Sequence, residues 1–217
     1  MKEQLLIFFG APGVGKGTQA KIVSEKLLIP HISTGDILRD AIKEKTDLGL
    51  KAKEIMGRGE LVPDDIMLKL VANVLKNKKC KNGFILDGFP RTLKQAQALT
   101  PILDEIFIAN IKIINIKADN ETIINRLMQR RMCSACGNIV NLNFLQNLDK
   151  CPTCGSIDSF IRRKDDTEEV IKNRLEIFHQ TTKPVLDFCK ENGKEIINID
   201  GKLPVDEITS NILEAIS

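Results

Sequence analysis

Apolar residues fall along this chain in short continuous runs, separated by longer stretches in which they recur every three or four positions. That pattern predicts strands alternating with helices. Gln4 to Phe9 is such a run; it ends in a glycine-rich turn and is followed by helical spacing through Ala20, Val23 and Leu27. Strand, loop and helix are expected there in that order. Further runs at Gly83 to Leu86, Ile111 to Ile116 and Glu195 to Ile199 alternate with helical patterns. Strands that are apolar on both faces belong to a parallel sheet covered on both sides, so the fold class read from the pattern is α/β.

Two stretches break the alternation. Residues 33–62 are mostly helical and polar without a strand candidate, and residues 132–164 hold paired cysteines among short apolar pieces of no clear period. Both are expected to be lobes inserted into a core made of residues 1–32, 63–131 and 165–217. From Asp165 to Lys190 the helical period returns, with Val170, Ile171, Leu175 and Phe178 on one face and Pro184 expected to kink or interrupt it. No internal repeat or low-complexity linker is visible.

Composition narrows the class of protein. With 217 residues, 42% of them apolar and 28% charged, the chain reads as an ordinary globular protein, neither disordered nor membrane-spanning. A net charge of +3 is too small to draw nucleic acid or a membrane by bulk electrostatics, so any anion selectivity must come from placed residues. The apolar run from Leu5 to Phe9 is shorter than a signal-peptide core or a membrane span requires, and the expected location is the cytoplasm. Six cysteines fit that compartment as thiols.

Gly10-Ala11-Pro12-Gly13-Val14-Gly15-Lys16-Gly17-Thr18 stands between the first expected strand and the first expected helix. That context turns a glycine-rich string into a phosphate-loop reading. Glycines let backbone N–H groups turn inward, the helix N-terminus adds positive potential, and the Lys16 ammonium can reach the β and γ phosphates of a nucleotide. Gly17 occupies the place where Ser or Thr usually offers a magnesium ligand, so Mg2+ is expected to be held mostly by phosphates and water, with Thr18 the nearest hydroxyl.

Phosphoryl transfer needs arginines near such a loop, because charge spreads over the equatorial oxygens while the protein does little covalent chemistry. Ile85-Leu86-Asp87-Gly88-Phe89-Pro90-Arg91-Thr92 reads as a strand ending in an acid, a turn and a helix start. Asp87 can hold waters of a metal ion and Arg91 can grip a phosphate.

Cys133-x-x-Cys136-Gly137 and Cys151-x-x-Cys154-Gly155 are two knuckles, each with a glycine after its second thiol. Four thiolates close a tetrahedral zinc shell with no open position, which makes the expected Zn2+ structural; disulfides and unligated thiols are the alternatives. The fourteen residues between the pairs (151 minus 136 minus 1) fall slightly below the usual spacing of such ribbons. Cys80, Cys189, His31 and His179 lack partners at useful spacing and are expected to be packing or surface residues.

In sequence and order, GAPGVGKGT, STGD with Arg39 following, LVPDD, LDGFPRT and RKDD resemble the adenylate kinase family over nearly the whole chain. The resemblance implies a P-loop NTPase type of fold: a five-stranded parallel sheet with helices on both faces, a small helical monophosphate-binding lobe (33–62) and a zinc-ribbon-like lid (132–164). It also implies MgATP and AMP as substrates and ADP as product. Thr34, Gly35 and Arg39 would contact AMP, with Glu60, Leu61, Val62 and Gln95 near its adenine and Gly88 and Arg91 at its phosphate. Gln95 lies four residues after Arg91, so both are expected to project from one helix face toward one ligand; without the family, Gln95 reads equally well as a solvated polar side chain.

On the donor side, the resemblance places Arg126, Arg130 and Lys202 with ATP, and Arg163 and Arg174 near the migrating group. Arg126 and Arg130 are expected one helical turn apart, with Arg131 about 100° away. Asp165 and Asp166 are expected to cap the following helix and to pair with lid arginines. The Tyr-His pair common after the first knuckle in zinc-bearing relatives is replaced by residues Asn138 to Asn141. A monomer without nucleic-acid or membrane partners is expected. The competing readings are a kinase for another nucleoside monophosphate, and a zinc-ribbon binding module that keeps a nucleotide-binding core.

Overall fold

The computed structural model describes residues 4–105 and 110–217. The chain runs β1 (Gln4–Phe9), α1 (Lys16–Leu27), β2 (His31–Ser33), α2 (Thr34–Lys43), α3 (Asp47–Gly57), α4 (Asp64–Leu75), β3 (Gly83–Asp87), α5 (Leu93–Glu105), β4 (Asn110–Lys117), α6 (Asn120–Gln129), β5 (Arg130–Cys133), β6 (Ile139–Asn141), β7 (Phe160–Ile161), α7 (Glu168–Ile177), α8 (Lys183–Glu191), β8 (Glu195–Asp200) and α9 (Val205–Ile216). A five-stranded sheet in the order β2-β3-β1-β4-β8 is parallel throughout.

The alternation of side chains along the strands splits the interior into two cores. Leu5, Ile7 and Phe9 of β1 join Phe84, Leu86 and Ile113 on one face, where Val71, Leu75, Leu99, Leu103 and Val185 cover them. Leu6 and Phe8 join Ile85, Ile114, Ile116 and Ile199 on the other, beneath Ala20, Val23, Ile208 and Ile212. Helices therefore lie on both faces, as the apolar runs require.

The fifth strand, β2, escaped the apolar-run reading because it is three residues long and carries one apolar side chain, Ile32. Its pairing to β3 sets Ser33 beside Asp87. In the 165–190 region the helix is interrupted by a wide π-type turn, Phe178–Thr182, and Pro184 lies in the first turn of α8, where a missing N–H does no harm.

The stretch with paired cysteines forms a small antiparallel sheet of order β6-β5-β7. Its strands are too short to be stable alone in water, which leaves a role for a cross-link. Among the described residues, no helix is long and apolar enough to cross a membrane.

Candidate functional site

Every parallel strand delivers its carboxyl end to the same edge of the sheet. At the end of β1, the chain turns at Gly10 (φ +140), Gly13 (φ +84) and Gly15 (φ +110), backbone angles that L side chains rarely adopt. A Cβ on Gly10 would lie 2.3 Å from the Ile116 carbonyl oxygen, and one on Gly13 would enter the Leu127 side chain. The loop that leaves β1 is thus pressed against the end of β4 at Gly10 and against α6 at Gly13. Gly15 starts α1 without a side-chain cap, leaving the first-turn N–H groups for a ligand.

Lys16 curls back over this loop, its Nζ donating to the carbonyls of Gly10 at 2.7 Å and Ala11 at 2.9 Å. Burial pulls the ammonium down from 10.5 to about 7; Asp87 opposes that shift, while Arg91, Arg174 and Arg130 add to it. A half-buried lysine held so far below its ordinary value is a cation short of counter-charge, which an anion would supply.

Asp87, buried at the end of β3, stands beside Phe8 of β1 on one side and Ser33 of β2 on the other. A Cβ on Gly17 would come within 3.2 Å of Asp87 Oδ2. The carboxylate therefore occupies the space into which the usual Ser or Thr would extend, a physical reason for Gly17 in this loop. Asp87 and the exposed Thr18 hydroxyl are hard oxygen donors of the kind that suits Mg2+. The His31 ring, expected to be plain packing or surface, reaches the same carboxylate, with Nε2 3.3 Å from Oδ2. Only the pairing of β2 with β3 reveals that contact.

The same strand ends gather the residues assigned to the acceptor. Thr34 is buried and donates to the Gly88 carbonyl at 2.9 Å, and Arg91 Nε donates to that carbonyl at 2.7 Å. Gly88 (φ +79) has no room for a Cβ, which would meet Arg91 Nη2 at 2.8 Å and Thr34 Oγ1 at 2.9 Å. Gly35 similarly lets the Arg39 guanidinium lie close above it, while Asp36 holds Arg39 at 2.6 Å. The Phe89–Pro90 peptide is cis.

Gln95 is buried, which excludes the solvated alternative. Arg91 precedes α5 and does not share a helix face with it. The link is instead a hydrogen bond from the Arg91 backbone N–H to Gln95 Oε1 at 2.7 Å, while Thr92 Oγ1 accepts from the Gln95 N–H at 3.1 Å. This is a displaced capping box, and Thr-x-x-Gln is the sequence signal that announces it. Asp64 fastens it further by accepting from Gln95 Nε2 at 2.8 Å and Thr92 Oγ1 at 3.1 Å. Glu60 is exposed and pairs with Arg58 at 2.8 Å, Leu61 is half-buried, and Val62 is buried in the core.

The arginines divide into two groups. Arg130 is the first residue of β5 in extended backbone, not a continuation of α6, so it leaves the helical turn it was expected to share with Arg126. It grips Asp166 through Nε and Nη2, the former at 2.8 Å, and Asp166 is wholly buried. Arg174 bonds Asp165 at 2.9 Å and lies 3.6 Å from Asp166; Arg162 donates to the Asp166 carbonyl. With their carboxylates taken up by arginines, these aspartates do not cap α7; Thr167 does, accepting from the Val170 N–H. Burial raises Asp165, but Arg174, Arg130, Arg39 and Arg163 outweigh it and hold the carboxyl below its usual range.

Arg163 keeps a buried Nε without a hydrogen-bond partner among the described residues. Burial, then Arg39 and Arg130, lower it to about 10; Arg174 also falls to about 10, chiefly by burial. Burial likewise depresses Arg91, whose neighbours include Asp87, Arg39 and Asp165. Lys16, Arg39, Arg91, Arg130, Arg163 and Arg174 thus form one mutually repelling cluster at the sheet edge. Arg126 donates to the Gly201 carbonyl at 2.7 Å and to the Val14 carbonyl of the glycine loop at 3.4 Å. Lys202 lines an open cavity of about 380 Å³ with Lys117, Asp119 and Asp200. Arg131, half-buried, donates to the Met128 carbonyl at 3.1 Å and the Arg130 carbonyl at 2.8 Å at the end of α6.

The Sγ atoms of Cys133, Cys136, Cys151 and Cys154 all lie within 4.8 Å of one another. Cys133 and Cys154 are 3.7 Å apart, as are Cys136 and Cys151. A tetrahedral shell with Zn–S of about 2.3 Å separates its sulfurs by about 3.8 Å, so the cluster fits zinc. Separations of this size exceed a disulfide bond of about 2.05 Å. Cys80 and Cys189 are buried in the core, where desolvation raises both thiols, Cys189 to about 11. His179 lies exposed against Phe178.

A sequence profile described as "Adenylate kinase" matches residues 8–194. The adenylate kinase of Methanocella arvoryzae is 47% identical over 212 residues, covering 97% of each chain. That of Caldicellulosiruptor bescii is 44% identical over 213 residues, 97% of this chain and 98% of its own. That of Elusimicrobium minutum is 44% identical over 214 residues and 98% of each.

Proposed function

The chain belongs to the adenylate kinase family, and from that premise we propose that it catalyses reversible phosphoryl transfer from MgATP to AMP, giving two ADP. The observation that carries the reading is the convergence of Lys16, Arg91, Arg130, Arg163 and Arg174 on the mouth of a glycine loop, with burial depressing several of these cations. Buried cations that Asp87, Asp165 and Asp166 only partly offset favour the multiply charged phosphates of two nucleotides held together.

In this reading Gly10 to Thr18 cradle the ATP phosphates, with Arg126 and Lys202 toward the donor nucleoside. Thr34, Gly35, Arg39 and Gly88 to Arg91 bind AMP. Its adenine lies near Gln95 and the Glu60–Val62 backbone; Gln95 still has one amide N–H and a carbonyl lone pair to offer. AMP attacks the γ-phosphoryl group in line without a covalent enzyme intermediate, and the cations hold the equatorial oxygens as charge spreads over them. Mg2+, carried in with ATP, would neutralise phosphate charge; Asp87 and Thr18 are the residues that would hold it through its waters. Residues 33–62 act as the acceptor lobe and 132–164 as a lid that excludes water, on a core of 1–32, 63–131 and 165–217. Structural Zn2+ in the cysteine cluster stiffens the lid. The enzyme works as a cytoplasmic monomer.

The test is ADP formation from MgATP with AMP, CMP, UMP or GMP as separate acceptors. A strong preference for AMP supports the assignment. Preference for another base moves the acceptor while keeping the mechanism, and transfer to none of them sinks the proposal.

A further inference from the structure

Ser159 sits immediately before β7 and is 4% exposed. Its Oγ lies 3.2 Å from the Sγ of Cys133, itself fully buried, and its carbonyl accepts the Ser134 N–H at 2.7 Å. The residue thus ties the strand that leaves the second knuckle to the turn that begins the first. Among the described residues, no other side-chain hydroxyl is hydrogen-bonded to a sulfur of the cluster.

A cysteine that ligates a metal must lose its proton, after which the sulfur can only accept hydrogen bonds. The Ser159 hydroxyl, which can otherwise turn to the Ser156 carbonyl at 3.3 Å, then has an anionic acceptor within reach. We infer that Ser159 is a positioning residue of the metal cluster, donating its O–H to the Cys133 thiolate and so orienting that ligand and dispersing its charge where water cannot. The inference rests on the zinc reading of the four cysteines. Outer-shell donors of this kind fix ligand orientation and tune the metal.

The experiment compares the full-length chain with Ser159→Ala by competition for Zn2+ against a chromophoric chelator. The expected result is about 10- to 100-fold weaker zinc binding in the variant, with the metal-free melting temperature unchanged and the zinc-loaded one lowered. In Co2+-substituted protein, the sulfur-to-cobalt charge-transfer band should move to longer wavelength, because a thiolate that loses a hydrogen bond holds its electrons less tightly. Equal zinc affinity in the two proteins, an unmoved cobalt band, or the same drop in melting temperature with and without metal would each overturn the inference. A wild-type chain that takes up no zinc overturns the zinc reading as well, and shows itself in the wild-type arm alone.

Discussion

Arg130 and Asp166 face each other as a two-pronged pair, guanidinium to carboxylate, with the acid fully buried and the arginine side chain 15% exposed. Arg174 and Arg162 also lean on Asp166, so this one acid anchors β5, the approach to α7 and the loop between them. Removing a partner from a buried pair leaves uncompensated charge behind. Asp166→Asn is expected to destabilise the protein by about 3–5 kcal/mol in urea denaturation. A loss within about 0.5 kcal/mol of zero would contradict this account.

The depressed Lys16 predicts a proton-linked binding step. In the free protein the ammonium titrates near pH 7 instead of 10.5. Lys16 therefore weakens the ligand-free fold while protonated below about pH 7, and that penalty fades as the pH rises toward 10.5. Nucleotide phosphates should restore the charge, so binding of MgATP at pH 7 to 8 takes up protons. Calorimetry in two buffers of different ionisation enthalpy measures this; net release assigned to Lys16 would be the wrong sign. Lys16→Met should abolish the uptake and lower turnover by about 10²–10³-fold.

Arg91→Ala is expected to raise the KM for AMP by at least about 30-fold, the equivalent of roughly 2 kcal/mol for a buried charged contact. Affinity for MgATP should change little. Titrating each nucleotide separately distinguishes this outcome from general damage, which would weaken both.

Two glycines of the loop should respond in opposite ways. Gly10→Ala places a Cβ 2.3 Å from a backbone oxygen at φ +140 and is expected to destabilise the fold by more than about 1 kcal/mol. Gly17→Ala meets only the Asp87 carboxylate at 3.2 Å, so stability should hold while MgATP-dependent turnover falls. Melting curves and kinetics of both variants check the contrast.

Replacing Cys133, Cys136, Cys151 and Cys154 together by Ser should lower the melting temperature more than it lowers turnover at moderate temperature. The reason is that a closed four-thiolate shell is far from the cations at the loop in its chemistry and offers no open position. Identical melting of the native protein with and without chelator would argue against it.

Much of the fold was legible because its signals are local. The apolar runs at Gln4, Gly83, Ile111 and Glu195 are all strands, and the glycine string leads from the end of β1 into the first turn of α1. Where a residue's setting depends on an element boundary, the reading failed: Arg91 and Arg130 were placed on helices that begin or end one or two residues away. The short strand β2 was invisible because a three-residue run has no period to detect.

By itself, then, the sequence determined which segments can be strands with two buried faces, where a backbone must take positive φ, and which cysteines can share a metal. These follow from side-chain periodicity and local torsion. Tertiary structure alone decided that Cys133 approaches Cys154 and Cys136 approaches Cys151, that His31 meets Asp87, that Arg130 takes Asp166, and that Arg126 reaches the Gly201 carbonyl. Those are contacts between residues 15 to 75 positions apart, counting Cys136 to Cys151 and Arg126 to Gly201 as the limits. They depend on strand register and on how the chain closes over the sheet edge, which no local pattern encodes.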